Sequence, residues 1–132
     1  MQRQPVTEAK KITFKSENAA GDGVGVLIGD PSTCRRGLIV VHEWWGMTQQ
    51  IQDEAALVAE QGRMTALVCD VYRGKVAVDR EDAGHYMDDL DWDGAVKDIS
   101  GAAKYLMSAG CSKVWRELTS LHCQIEGRMK LV

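Results

Sequence analysis

The stretch that decides the fold is Gly37-Leu38-Ile39-Val40-Val41-His42-Glu43-Trp44-Trp45-Gly46. Its first half is a continuous apolar run, rich in β-branched residues and short enough for a strand. An apolar run without polar alternation suits a strand covered on both faces, as in a parallel sheet. The run stops abruptly in two polar residues, two indoles and a glycine. In open α/β sheets, ligands bind beyond the carboxyl ends of the parallel strands. The most buried strand therefore delivers His42 and Glu43 to the edge where chemistry is expected. The plain alternative is a core strand followed by a loop with two aromatic plugs.

Working outward on the N-terminal side, Ile12-Thr13-Phe14-Lys15-Ser16 alternates apolar and polar residues and predicts a half-exposed strand. Asn18, Gly21 and Gly23 mark a turn, after which Val24-Gly25-Val26-Leu27-Ile28 returns as a second strand. These two predict an antiparallel pair at a sheet edge. Residues 1–11 are expected to be a mobile N-terminus. On the C-terminal side, Thr48 predicts a helix cap, with Gly62 as the stop and Ile51, Ala55 and Val58 as the buried stripe. Met64-Thr65-Ala66-Leu67-Val68-Cys69 predicts the next strand, ending in the polar run Asp70-Val71-Tyr72-Arg73-Gly74. Residues 78–86 could begin a helix. Asp91 caps a longer one, closed by Gly110, with Val96, Ile99, Ala103 and Leu106 as its stripe. Strand–helix–strand–helix is the βαβ alternation of an α/β fold.

A chain of 132 residues is expected to form one domain. A net charge of −3 and a pI near 5.6 argue against nucleic acid or an acidic membrane as partner. No apolar run approaches the ~20 residues of a membrane span. Met1-Gln2-Arg3-Gln4-Pro5 lacks the apolar core of a signal peptide, so the cytoplasm is the expected location. The four cysteines, at 34, 69, 111 and 123, form no Cys-x-x-Cys pair and are expected to be reduced.

Three local motifs invite stronger readings. His42-Glu43 would open a zinc-protease motif, but Gly46 and Met47 stand where the second histidine is needed. Asp89, Asp91, Asp93 and Gly94 match the start of a calcium loop spanning 89–100. Ser100 occupies the position of the bidentate glutamate, and the three aspartates also suit a helix N-terminus. His122-Cys123 places a base beside a thiol, yet sequence neighbours point apart and no glycine turn presents either group.

The ordered set Val40-Val41-His42-Glu43-Trp44-Trp45-Gly46, Asp70-Val71-Tyr72-Arg73-Gly74 and Gly110-Cys111-Ser112-Lys113-Val114 resembles the dienelactone hydrolase family. The likeness runs from about Ile12 to Val114. It implies an incomplete α/β-hydrolase fold, mostly parallel with an N-terminal antiparallel strand pair and flanking helices. It also implies hydrolysis of a small lactone or ester through an acyl-enzyme, without a cofactor or metal. By the resemblance, Glu43 matches the glutamate that interacts with the resting nucleophile, and the Trp44 backbone N–H matches an oxyanion-hole donor. Arg80 lies near the place of a substrate-binding arginine. The family's nucleophile, a cysteine or serine on a Gly-x-Cys-x-Gly-Gly elbow, should follow the strand beginning at Lys113, with aspartate and histidine later.

The pattern stops after Val114. The expected organisation is thus a hydrolase half-domain over 12–114 and a divergent tail over 115–132. A truncated product without nucleophile and base is expected to be inactive alone. A binding or regulatory remnant and a calcium-binding module are the alternatives. Lacking a good strand after Val114, the strand led by Leu38 should keep an open apolar edge and invite self-association.

Overall fold

The computed structural model describes residues 9–118 and 130–131. Its elements run β1 (Ala9–Phe14), β2 (Gly23–Ile28), β3 (Arg36–Val41), α1 (Gln49–Gly62), β4 (Thr65–Cys69), α2 (Arg80–Asp88), α3 (Trp92–Ala109), β5 (Lys113–Leu118) and β6 (Lys130–Leu131). The strands form one sheet in the order β1-β2-β4-β3-β5-β6. The core is parallel, with β3 between β4 and β5. The N-terminal pair β1–β2 is antiparallel, as expected, and β2 continues antiparallel onto β4. β1 starts at Ala9, so residues 9–11 of the stretch expected to be mobile are strand.

Both faces of the parallel core are covered, which is why β3 and β4 read as unbroken apolar runs. Successive side chains on a strand point to opposite faces. Ile39, Val41, Leu67 and Cys69 accordingly pack with Leu106 of α3, while Leu38, Val40, Ala66 and Val68 pack with Ile51, Ala55 and Ala59 of α1. Val58, placed in the α1 stripe by its spacing, is half-buried beside that second cluster.

Each helix begins on a side-chain cap of the expected kind. Thr48 accepts from the Ile51 N–H at 3.3 Å, Asp79 from Asp82 at 2.8 Å, and Asp91 from Gly94 at 3.1 Å. The end of α1 differs from the sequence reading. Gly62 stays helical, and Arg63 takes the left-handed turn at φ 53°. The left-handed conformation crowds a Cβ against the following carbonyl, so a glycine is favoured there.

Of the expected α3 stripe, Ala103 and Leu106 are buried and Ile99 packs against the core, but at the start of the helix Ala95 and Asp98 face inward with Ala102, and Val96 is 59% exposed. The cause is Asp98, a carboxylate 1% exposed that apolar periodicity cannot count. It accepts from Ser16 Oγ at 2.7 Å, Asn18 Nδ2 at 3.4 Å and Arg73 Nη2 at 2.7 Å. Arg73 also donates to the Asp22 and Gly21 carbonyls, at 2.8 and 3.0 Å. One buried ion pair thus ties α3 to the β1–β2 connection and to the turn after β4. Gly101 allows the same closeness: a Cβ there would lie 2.3 Å from the Lys15 carbonyl oxygen.

The open edge expected on β3 is filled. β5 runs parallel to it in register from Arg36↔Lys113 to Val41↔Leu118, and β6 adds Trp115↔Leu131 and Arg116↔Lys130 beyond. Trp115 and Arg116 look unlike a core strand because β5 buries one face more than the other. Val114 is buried beneath α3, while Trp115 is half-buried against the α1 cluster with the Arg36 guanidinium 5.5 Å over its ring.

Two stability outcomes follow from these contacts. Asp98→Asn removes the charge that answers Arg73 and should cost about 2–4 kcal/mol, below the top of the range for buried pairs because Arg73 keeps a quarter of its side chain exposed. Arg63→Gly should gain roughly 0.5–1 kcal/mol by relieving the left-handed residue. Urea midpoints at constant m-value measure both, and opposite signs are expected.

Candidate active site

The parallel register brings the two polar strand ends together. Val41 pairs with Cys69, so His42 and Asp70 leave the sheet side by side at its C-terminal edge. The turn after β4 is organised by the Asp70 carboxylate, which accepts the Tyr72 N–H at 3.1 Å and the Gly74 N–H at 2.9 Å. An aspartate bonding backbone two residues on is an Asx turn, which explains the Asp-x-Tyr signature physically. The turn closes through Arg73 and Gly74, at φ 54° and 95°.

The loop after β3 is cinched in the same way. The Gly46 N–H returns to the Glu43 carbonyl at 3.0 Å, and Gly46 itself lies at φ 98°. It faces residues 75–77: a bridge pairs Gly46 with Val76, and the Ala77 N–H reaches the Trp45 carbonyl at 2.9 Å. A Cβ on Gly46 would sit 2.5 Å from the Lys75 carbonyl oxygen, so glycine is required on two counts.

His42 faces inward rather than toward a ligand and is 2% exposed. Its Nδ1 lies 2.7 Å from the Glu43 carbonyl, and its Nε2 receives the Val71 N–H at 3.1 Å. Asp70 Oδ1 is 3.4 Å from the same Nε2, and the Tyr72 ring stands edge-on at 4.7 Å. Both ring nitrogens are therefore committed to neighbours, which agrees with rejecting a zinc motif. Sequence reasoning placed His42 at a functional surface and missed this internal bridge, which only the pairing of β3 with β4 reveals.

Glu43 is exposed on the loop, and its carboxylate has no hydrogen bond or ion pair among the described residues. With Trp45, Gly46, Thr48, Gln50, Ile51 and Glu54 it borders a recess of about 210 Å³ against the first turns of α1. The sequence singled out Thr48 only as a helix cap, and Gln50 and Glu54 not at all, because they read as the polar start of a helix. Trp44 packs edge-on to Trp45 at 5.6 Å. Among the described residues the Trp44 N–H has no acceptor. Arg80 lies exposed at the first position of α2 and is not part of this recess.

A second cleft, of about 260 Å³, opens between the turn after β4 and the α2–α3 connection. Tyr72 and Tyr86 line it with their rings 5.7 Å apart. Burial pushes the Tyr72 hydroxyl up to about 12. The Asp89 backbone caps the C-terminus of α2, and the Asp91 carboxylate caps α3 by accepting the Gly94 N–H. Among the described residues, no group of three His, Cys, Asp or Glu side chains could hold a metal, which weighs against the calcium alternative.

The described cysteines are thiols. Cys34 and Cys111 lie before β3 and β5, at the N-terminal edge of the sheet. Cys69 ends β4 but is wholly buried. Burial pushes the Cys69 and Cys111 thiols up, the opposite of what a nucleophile needs. His122 and Cys123 lie outside the described residues.

A three-stranded parallel core with helices on both faces, presenting a glutamate and an unpaired amide at the C-terminal edge, defines the N-terminal half of an α/β-hydrolase type of domain. Comparison with known proteins agrees. The sequence model of the dienelactone hydrolase family matches residues 24–115, and the chain belongs to that family. It superposes on a solved structure named m3DLH with a TM-score of 0.62 at 20% identity, covering 87% of this chain and 48% of the other. A dienelactone hydrolase-like promiscuous phosphotriesterase, P91, from metagenomic libraries gives 0.63 at 18% identity, covering 83% and 48%. Protein usf of Aquifex pyrophilus is 36% identical over 66 residues, 48% of this chain and 28% of that protein. The chain thus spans about half the length of these solved relatives and just over a quarter of the curated one. Among the described residues no helix is long and apolar enough to cross a membrane.

Because Tyr72 binds its proton more tightly folded than unfolded, its contribution to stability is complete below about pH 10 and is lost as pH rises toward about 12. Ultraviolet titration of the three tyrosines should show one phenolate forming late, together with unfolding, and Tyr72→Phe should abolish that step.

Proposed function

We propose that this chain carries the glutamate and oxyanion side of a site that hydrolyses a small lactone or carboxylic ester, and that it does not turn over substrate alone. One observation carries the reading: the peptide between Glu43 and Trp44 has its carbonyl held by the His42 ring and by Gly46, while its N–H is unpaired at the C-terminal edge of β3. A preorganised amide donor aimed where an acyl oxygen gains charge is the largest single contribution in many acyl transfers. Family membership supports the reaction class. In this reading Glu43 engages the resting nucleophile and Trp45 shapes the wall, while Arg80, outside the recess, is given no part.

The supporting argument for inactivity is chemical. Acyl transfer through a covalent intermediate needs a nucleophile, a base and an orienter within hydrogen-bond reach. None of the described cysteines stands at the catalytic edge with an accessible, acidified thiol, and His42 is occupied structurally. An oxyanion donor without a nucleophile keeps only a small part of the rate enhancement.

The test uses hydrolysis of a small aryl ester. The chain alone should give the buffer rate. Mixing it with a separately produced C-terminal half of a dienelactone hydrolase, which brings the nucleophile elbow, should give turnover that falls at least about tenfold with Glu43→Gln. Turnover by the chain alone, lost on Cys123→Ala, would overturn the proposal.

A further inference from the structure

The bonds at His42 have fixed directions, because both partners are backbone groups whose roles cannot change. The Glu43 carbonyl can only accept, so Nδ1, 2.7 Å away, carries the proton. The Val71 N–H can only donate, so Nε2, 3.1 Å away, is bare and accepts it. The ring is thus held as the neutral Nδ1–H tautomer, 2% exposed, with the Tyr72 edge against it and Asp70 Oδ1 3.4 Å from Nε2.

The carbonyl that His42 grips belongs to the same peptide unit as the Trp44 N–H. In a trans peptide the C=O and N–H lie in one plane and point to opposite sides. Fixing the oxygen therefore aims the hydrogen. The Gly46 N–H, 3.0 Å from the same oxygen, is a second tie, but it comes from the loop being positioned. Among the described residues, His42 alone links that peptide to the exit of β4, through Val71.

We propose that His42 is a positioning residue that aims the Trp44 N–H, clamping the Glu43–Trp44 peptide plane between the exits of β3 and β4. This rests on reading that N–H as an oxyanion donor. A donor must point within a narrow cone to stabilise a developing charge, and losing one such donor costs about 10²–10³ in rate. An invariant plane is the physical requirement, and a buried bifunctional ring supplies it without contacting substrate.

The experiment is nuclear magnetic resonance on the full chain, so it does not depend on turnover. Imidazole ¹⁵N shifts should show His42 Nδ1 protonated and Nε2 bare. A proton on Nε2 would overturn the proposal whether or not any variant folds. Backbone ¹⁵N relaxation then tests the clamp. Wild-type Trp44 should be rigid, with an order parameter near 0.85. His42→Asn keeps an amide N–H close to the Nδ1 position but gives up the tie to Val71, so Trp44 should lose only part of its order. His42→Gln reaches only the Val71 side, and Trp44 should drop below about 0.6 while Ile39 and Leu67 stay unchanged. Equal order at Trp44 in wild type and His42→Gln would overturn the assignment. So would a loss in His42→Asn as large as in His42→Gln. Failure here leaves the ester-hydrolysis reading to stand or fall on its own Glu43→Gln test.

Discussion

A carboxylate taken out of water must be met by donors, and Asp98 sets the terms on which this chain packs. Its position on α3 fixes which face of that helix meets the sheet. Its ion pair with Arg73 fixes the turn after β4, and its bonds to Ser16 and Asn18 fix the departure from β1. Replacing such a pair by hydrocarbon need not weaken a protein, so its value here is geometric rather than energetic. The pair specifies a helix rotation that apolar contacts alone would leave free to slide.

From that anchor the site follows by short steps. Arg73 sits at the end of the turn that Asp70 builds, and the same turn presents the Val71 N–H to His42. His42 reaches back to the loop after β3, and Gly46 joins that loop to residues 75–77. Each link uses backbone atoms on at least one side. The geometry therefore depends on a few residue types at fixed spacing, while the surrounding side chains are free to vary.

Much of this was legible in the sequence. Apolar runs located β2, β3 and β4 because buried strands leave no other trace, and the Thr48 and Asp91 caps located α1 and α3 because unpaired N–H groups need acceptors. The site was half legible. Glu43 and Trp44 were singled out by the family resemblance and their roles are proposed above, whereas His42 was assigned outward because strand alternation says nothing of a loop residue folding back. Val96 was placed inward and Asp98 ignored for one reason: a charge is counted as solvent-facing until its partner is known, and Arg73 is 25 residues away. β5 was missed because Trp115 and Arg116 carry the polarity of a strand near the sheet margin.

The sheet order also sets how this chain must fold. β3 is third in sequence but needs β4 and β5 on either side, and its pairing with β5 joins residues 77 positions apart, Arg36 with Lys113. Closing a loop of that length is slow, and its entropy is lost before any strand contact repays it. During synthesis β1, β2, β3 and β4 can assemble while one flank of β3 still waits for its partner. Apolar strand edges left waiting are where nascent chains pair wrongly. The strand that carries the site is thus the last in the core to be sealed, and expression temperature and chaperone supply act on that interval.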